Sequence, residues 1–258
     1  MIFAVFMVRG LLPRVIIWAT NPTLGPWEAF MASFSGDPHV VESIEKSAPI
    51  LLMGGGVFLV FLFFHWLFME EKHYSFRFEK WFHKHDIWFF AVVSLLLSWI
   101  VWEANSLNSM IAFSAVVGSS AFFIAHGFKE NAEKKEKELT SGGAMTDISK
   151  IMYLEVIDMT FSIDGVLGAF AFTLSVPLIL LGNGIGALVV RQLTIHNIER
   201  VKKYIYLKNG AMYSIGVLGT VMILHSFGHH IPEWLSPVST ILIIGYFVWI
   251  SFRALKKD

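Results

Sequence analysis

Glu155, Asp158, Ser162 and Asp164 stand in a run, Ile151 to Gly165 (I-M-Y-L-E-V-I-D-M-T-F-S-I-D-G), that is otherwise apolar enough to cross a bilayer. A carboxylate at bilayer depth costs about 3 kcal/mol, so these acids must face protein or water, and such residues mark ion paths and proton relays. In a span centred near Ser162, a rise of about 1.5 Å per residue sets Asp164 roughly 3 Å and Asp158 roughly 6 Å from the midplane, with Glu155 nearer one end. At about 100° per residue, Glu155, Asp158 and Ser162 share one face, because spacings of three, four and seven residues align. Asp164 points nearly opposite Glu155. Either the helix loosens at Gly165, as discontinuous transporter helices do at midplane sites, or Asp164 addresses a different neighbour.

Carboxylates with a serine hydroxyl and freed carbonyls are hard oxygen donors, which suit manganese, magnesium or calcium better than zinc or copper. The chain has no cysteine, which excludes thiolate metal sites, disulfides and cysteine nucleophiles. Metal binds these acids only when they are deprotonated, so metal and proton compete for the same groups. The plain alternative is that the acids pair with arginines or stay protonated. His65, in the run Phe63 to Lys72, is a further candidate ligand, although a lone membrane histidine more often bonds a nearby carbonyl. His225, His229 and His230 cluster in a short outer stretch, where solvation competes with metal capture. Gly182 and Gly186 have the four-residue spacing of a helix-packing face.

The elements that must position these groups are membrane helices. Of 258 residues, 55% are hydrophobic and only 16% charged, outside the usual range of soluble domains. The pattern predicts an all-α polytopic bundle of about eight helices. It forms a single transmembrane domain, residues 1–258, with spans at 1–20, 50–69, 87–104, 107–128, 151–174, 177–195, 210–227 and 235–253. Residues 129–149 read as a cytoplasmic linker, a Lys/Glu-rich helical extension followed by a hinge. The first span is interrupted by Arg9, Pro13 and Arg14, but charges placed after its apolar start do not make a signal peptide.

Alternation puts every Lys and Arg except Arg9, Arg14 and Lys46 in the connections 70–86, 128–150 and 191–208 or after Phe252, all on one side. The positive-inside rule then predicts a multi-pass protein of the cell membrane with both termini cytoplasmic. Formal net charge is zero, so no basic excess points to nucleic acid. The tryptophans lie mostly near span ends, as an aromatic belt requires.

The stretch Glu155 to Gly165 (E-V-I-D-M-T-F-S-I-D-G) resembles the second acidic motif of TerC-like integral membrane proteins, a Glu and then Ser-x-Asp followed by Asn or Gly. Leu181 to Arg191 (L-G-N-G-I-G-A-L-V-V-R) resembles the Gly-Asn…Arg helix that follows it there. Together the two matches are fairly specific, and the resemblance extends over most of the chain. It implies that Glu155, Asp158 and Asp164 are cation ligands, that Asn183 is a neighbouring polar ligand, and that Arg191 is a charge partner near the cytoplasmic end. The family is associated with manganese export and tellurite resistance.

Relatives of that kind carry an earlier acidic helix with an Ser-x-Asp-Asn pattern, related to the later one as an inverted repeat. Here Met1 to Arg9 resembles the helix that follows it, with Arg9 in the place that Arg191 holds in the second repeat. The expectation is thus an inverted repeat with its first helix missing. Either the true start lies upstream, or a homo-oligomer or another membrane partner supplies the missing acids. The resemblance also implies acidic residues near His65 and Met69, which makes His65 a substitute ligand.

The leading expectation is a transporter or exporter of a divalent cation, manganese above others, with the lipid bilayer as its surroundings and no organic cofactor. One alternative is an accessory subunit that binds metal or a partner without transport. Another is an intramembrane metal-dependent hydrolase. The chain contains no His-Glu-x-x-His, Gly-x-Gly-Asp or Gly-x-Ser-x-Gly motif, so an enzyme is not expected.

Overall fold

The computed structural model describes residues 38–140 and 203–255 except 233, together with 18, 25, 165–166, 168–169, 172–173, 175, 177–186, 188–189 and 192. All regular structure among them is α-helical. The helices are α1 (Pro38–Met69), α2 (Arg77–Lys84), α3 (Trp88–Leu107), α4 (Ser109–Thr140), α5 (Pro177–Gly186), α6 (Leu207–Ser226) and α7 (Leu235–Leu255). Five contain a stretch long and apolar enough to cross a membrane: Lys46–Met69, Trp88–Leu107, Ser109–Asn131, Leu207–Ser226 and Leu235–Leu255.

α1 is the central helix. It packs between α4 and α6 and also meets α3, while α3 lies on α4 and α7 on α6. In the apolar window of α1, 72% of the residues are buried, against 17% in α3 and in α7. The outer helices turn Leu95, Trp102, Ile241 and Leu242 away from the protein. Water would penalise such faces, whereas hydrocarbon accommodates them, so α3 and α7 are lipid-facing.

The approach of α4 and α6 to α1 rests on the run Gly54-Gly55-Gly56. Two residues advance a helix by about 200°, so Gly54 and Gly56 lie on opposite sides of α1. Gly54 meets α4, where a Cβ on Gly118 would collide with the Gly54 carbonyl. Gly56 meets α6, where a Cβ on Gly219 would come within 2.9 Å of the Gly56 carbonyl. Small residues that let backbones touch are the usual means of helix association in lipid. Among the described residues, no atom lies within 4 Å of a Cβ built at Gly182, Gly184 or Gly186. The described helix crossings thus rest on glycines of α1, α4 and α6.

Several boundaries differ from the sequence expectation. α1 begins at Pro38, inside the connection predicted for residues 21–49, and carries Pro49 within it. A proline removes one donor from a helix, and polar partners commonly gather around the disturbance in a membrane. Here the Ser226 hydroxyl donates to the Pro49 carbonyl at 2.6 Å, and the Ser114 hydroxyl donates to that of Ile50. Residues 105–106, expected to be a connection, lie in the last turn of α3. The turn to α4 contracts to Asn108, whose extended backbone breaks the helix and whose side chain accepts from the Met110 N–H at 2.8 Å. α4 runs on to Thr140 as one helix of 32 residues, as the Lys/Glu pattern of its end requires. At the other end of the bundle α6 stops where Gly228 adopts φ +83°, the left-handed conformation glycine tolerates.

Candidate functional site

The acidic run from Glu155 to Asp164, with Ser162, lies outside the described residues, as do Arg9 and Arg191. Gly165 and Val166, just beyond the run, are helical. Asn183 is a half-buried residue of α5. His65 is in α1, 7% exposed. The described polar residues converge around it and just beyond it, where α1 and α3 meet the connection 70–87 and where α4 and α6 bring Lys129 and Lys208. This is the basic end of the bundle.

His65 projects from the last turns of α1 into a wall of rings, with Phe89 of α3 at 5.5 Å and Phe122 of α4 at 6.1 Å between centroids. The His126 ring of α4 is only 3.9 Å away. The Nδ1 of His65 makes no hydrogen bond and stands 4.0 Å from the Glu70 carboxylate. Glu70 in turn receives the Lys208 ammonium of α6 at 2.5 Å and lies 3.9 Å from that of Lys129 on α4. Burial alone would raise the Glu70 carboxyl. The hydrogen bond and charge of Lys208, with Lys129 and His65 behind them, outweigh it and hold the group below the ordinary carboxylate value.

Lys72 folds back over the end of α1. Its ammonium donates to the carbonyls of Trp66 at 2.5 Å and Leu67 at 2.7 Å, and lies 4.0 Å over the Trp66 ring. These are carbonyls that no helical N–H reaches, so the lysine acts as a side-chain cap at the negative end of the helix dipole. Burial pushes this ammonium down to about 8, against the opposing charges of Glu79 and Glu70.

Glu79, on α2, is fully buried. It accepts from the Ser75 N–H at 2.7 Å, the Tyr213 hydroxyl at 2.7 Å and the Asn209 amide at 3.4 Å. Asn209 also donates to the His73 carbonyl and the Ser75 hydroxyl, so one amide ties the loop after α1 to the start of α6. A buried carboxylate survives when donors surround it, and here α2, α6 and the connection after α1 are joined through one.

The arrangement couples an imidazole pair to a carboxylate that two lysines from different helices hold in place. It is suited to taking up and releasing protons at the end of a helix bundle. Among the described residues no three His, Cys, Asp or Glu side chains converge closely enough to hold a metal ion. His225, His229 and His230 are exposed.

Sequence reasoning singled out His65 but missed His126, Glu70 and Glu79. His126 stands, like His65, within an apolar run shortly before a charged one (F-F-I-A-H-G-F-K-E), which is the signal that pairs them. Glu79 falls beside Phe82 and His83 on the helical projection of residues 77–84, the inward face of α2.

The architecture and its lipid-facing helices define a polytopic helical membrane protein. More particularly, the chain belongs to the family described as "Protein of unknown function (DUF475)", whose model matches residues 1–258. It is also similar to the "Uncharacterized membrane protein YceF" of Bacillus subtilis (strain 168), 30% identical over 108 residues, which cover 42% of this chain. The match spans 41% of that relative's length. No solved structure matches the chain.

Proposed function

We propose that this protein is a TerC-like carrier of the cell membrane that exports a divalent cation, manganese above others, in exchange for protons. The observation that carries this reading is the set of carboxylates Glu155, Asp158 and Asp164 in a segment otherwise apolar enough to span, with Ser162 among them. Acids in that setting are expensive and are kept for ions or protons. Oxygen donors without a thiolate favour a hard cation, and Asn183 and Arg191 on the next apolar segment are a further donor and a counter-charge. The cation is cargo, so the reading needs no resident cofactor and no catalytic step.

The basic end of the bundle supports the proton side of this reading. His65 is buried, lacks a hydrogen bond at Nδ1, and adjoins both His126 and Glu70. A group of this kind can pass protons between a membrane path and the aqueous phase. The lysine and arginine distribution orients this end, and both termini, toward the cytoplasm.

The test is manganese content and manganese tolerance in cells lacking their own exporter. Cells expressing this chain should hold less manganese and tolerate more of it, while the Asp164→Asn variant, made to the same level in the membrane, should do neither. Unchanged manganese accumulation in inverted vesicles after Asp164→Asn would sink the assignment. Metal binding without flux would point instead to an accessory subunit.

A further inference from the structure

We propose that α2 is a lipid-recognition helix, whose Arg77, Lys80 and Lys84 engage the phosphate groups of anionic phospholipids while Trp81 enters the membrane interface. The inference is independent of what the protein transports. It begins with position. α1 ends its apolar stretch at Met69 and α3 opens its own at Trp88, so an eight-residue helix between them is confined to the membrane surface.

The two faces of α2 differ in kind. Its inward side carries Glu79, fully buried, Phe82, whose ring meets Phe68 at 5.0 Å, and His83, whose Nδ1 lies 3.1 Å from the Phe68 carbonyl. At about 100° per residue, Arg77, Trp81 and Lys84 form one stripe on the other side, with Lys80 at its edge. All four are exposed, Trp81 by 59%.

The only acid of α2 is thus consumed internally by Tyr213, Asn209 and the Ser75 N–H, and the outward charge of the helix is purely positive. Among the described residues no carboxylate forms an ion pair with Arg77, Lys80 or Lys84. Of the flanking exposed acids, Asp86 accepts from the Ile87 N–H at 2.8 Å at the start of α3, and Glu71 precedes α2 in the chain, before Lys72.

Three outward cations ask for an anion, and their neighbours say which. Phe78, Trp81, Ile87 and Trp88 are exposed by 46%, 59%, 82% and 60%. A soluble anion would leave these groups in water. A lipid surface offers phosphate to the cations and the headgroup boundary to the rings at the same depth. Basic residues beside a membrane gain affinity for anionic lipid in proportion to their number. Because Glu79 bonds Tyr213 and Asn209, a headgroup drawn to α2 pulls directly on the first turns of α6.

The absence of native cysteine makes a clean test available. The full chain carrying Ile87→Cys, labelled there with bimane, is reconstituted in phosphatidylcholine vesicles containing rising amounts of brominated phosphatidylglycerol or brominated phosphatidylcholine. Half-quenching is expected at about a threefold lower mole fraction of the anionic lipid. The preference should vanish when Arg77→Gln, Lys80→Gln and Lys84→Gln are combined, and should shrink in about 0.5 M salt. Equal quenching by the two lipids, quenching by neither, or a preference that survives the triple substitution would overturn the proposal. Displacement of the preference by soluble glycerol phosphate would also overturn it, assigning the cations to a free phosphate ester. If the triple variant does not reconstitute, the salt titration of the unmodified helix decides, and a preference indifferent to salt counts against the proposal.

Discussion

Glu79 is held by donors from three places in the chain, and its surroundings set what happens when one is withdrawn. Tyr213→Phe keeps the ring, which stacks on Phe247 at 5.3 Å, and removes only the hydroxyl. A buried carboxylate with one donor fewer costs about 1–3 kcal/mol, so the thermal midpoint in detergent should fall by several degrees. An unchanged midpoint would mean that water replaces the hydroxyl. Glu70 is a pH-dependent case. Its carboxyl is held below the ordinary value, so its stabilising pairing with Lys208 is complete above the unfolded carboxylate range and is lost as pH falls through the lower folded value. The stability gap between the native chain and Glu70→Gln should therefore be full at neutral pH and close in acid. A gap constant down to acid pH would show that charge contributes nothing there. Neither acid was legible as important in the sequence, because a charged residue in a loop is ordinarily solvated. Only the approach of α6 gives Glu79 its Tyr213 and Asn209 donors and Glu70 the Lys208 ammonium.

At the scale of the element, glycine position decides which helices touch. Gly118→Ala sets a methyl into the Gly54 carbonyl, backbone against backbone, and α1 and α4 must separate to admit it. Overpacking of this kind costs about 1–3 kcal/mol. Gly182→Ala meets no atom within 4 Å among the described residues and should stay within about 0.5 kcal/mol of the native chain. Parallel unfolding curves of the two variants check the contrast, and equal losses would show that these crossings do not determine stability. The four-residue spacing in α5 and the run Gly54-Gly55-Gly56 were both visible in the sequence. Spacing alone favoured the former. The structure shows the latter in use, because two glycines on opposite sides of a central helix serve two neighbours at once.

For the whole molecule, the arrangement of charges across the bundle is itself testable. Lys80 and Ser106 are exposed near opposite ends of α3 and its approach. In intact cells a membrane-impermeant thiol reagent should label Ser106→Cys and spare Lys80→Cys, with the reverse in inverted vesicles. Labelling of both from one side would refute the orientation drawn from the lysines and arginines. The sequence by itself determined that the chain is helical and membrane-spanning, because long apolar runs have no other solution in lipid, where each backbone polar group must be satisfied within its own segment. It also singled out the acids Glu155, Asp158 and Asp164, since a carboxylate among Val, Ile, Phe and Met is conspicuous by composition alone. The helix at residues 77–84, the early start of α1 and the single-residue turn at Asn108 were beyond it. So was the meeting of His65 with His126 and Glu70 with Lys208. Those depend on which helices become neighbours, and in a bilayer that choice is made by backbone approach and a few polar contacts, with no difference in apolarity to direct it.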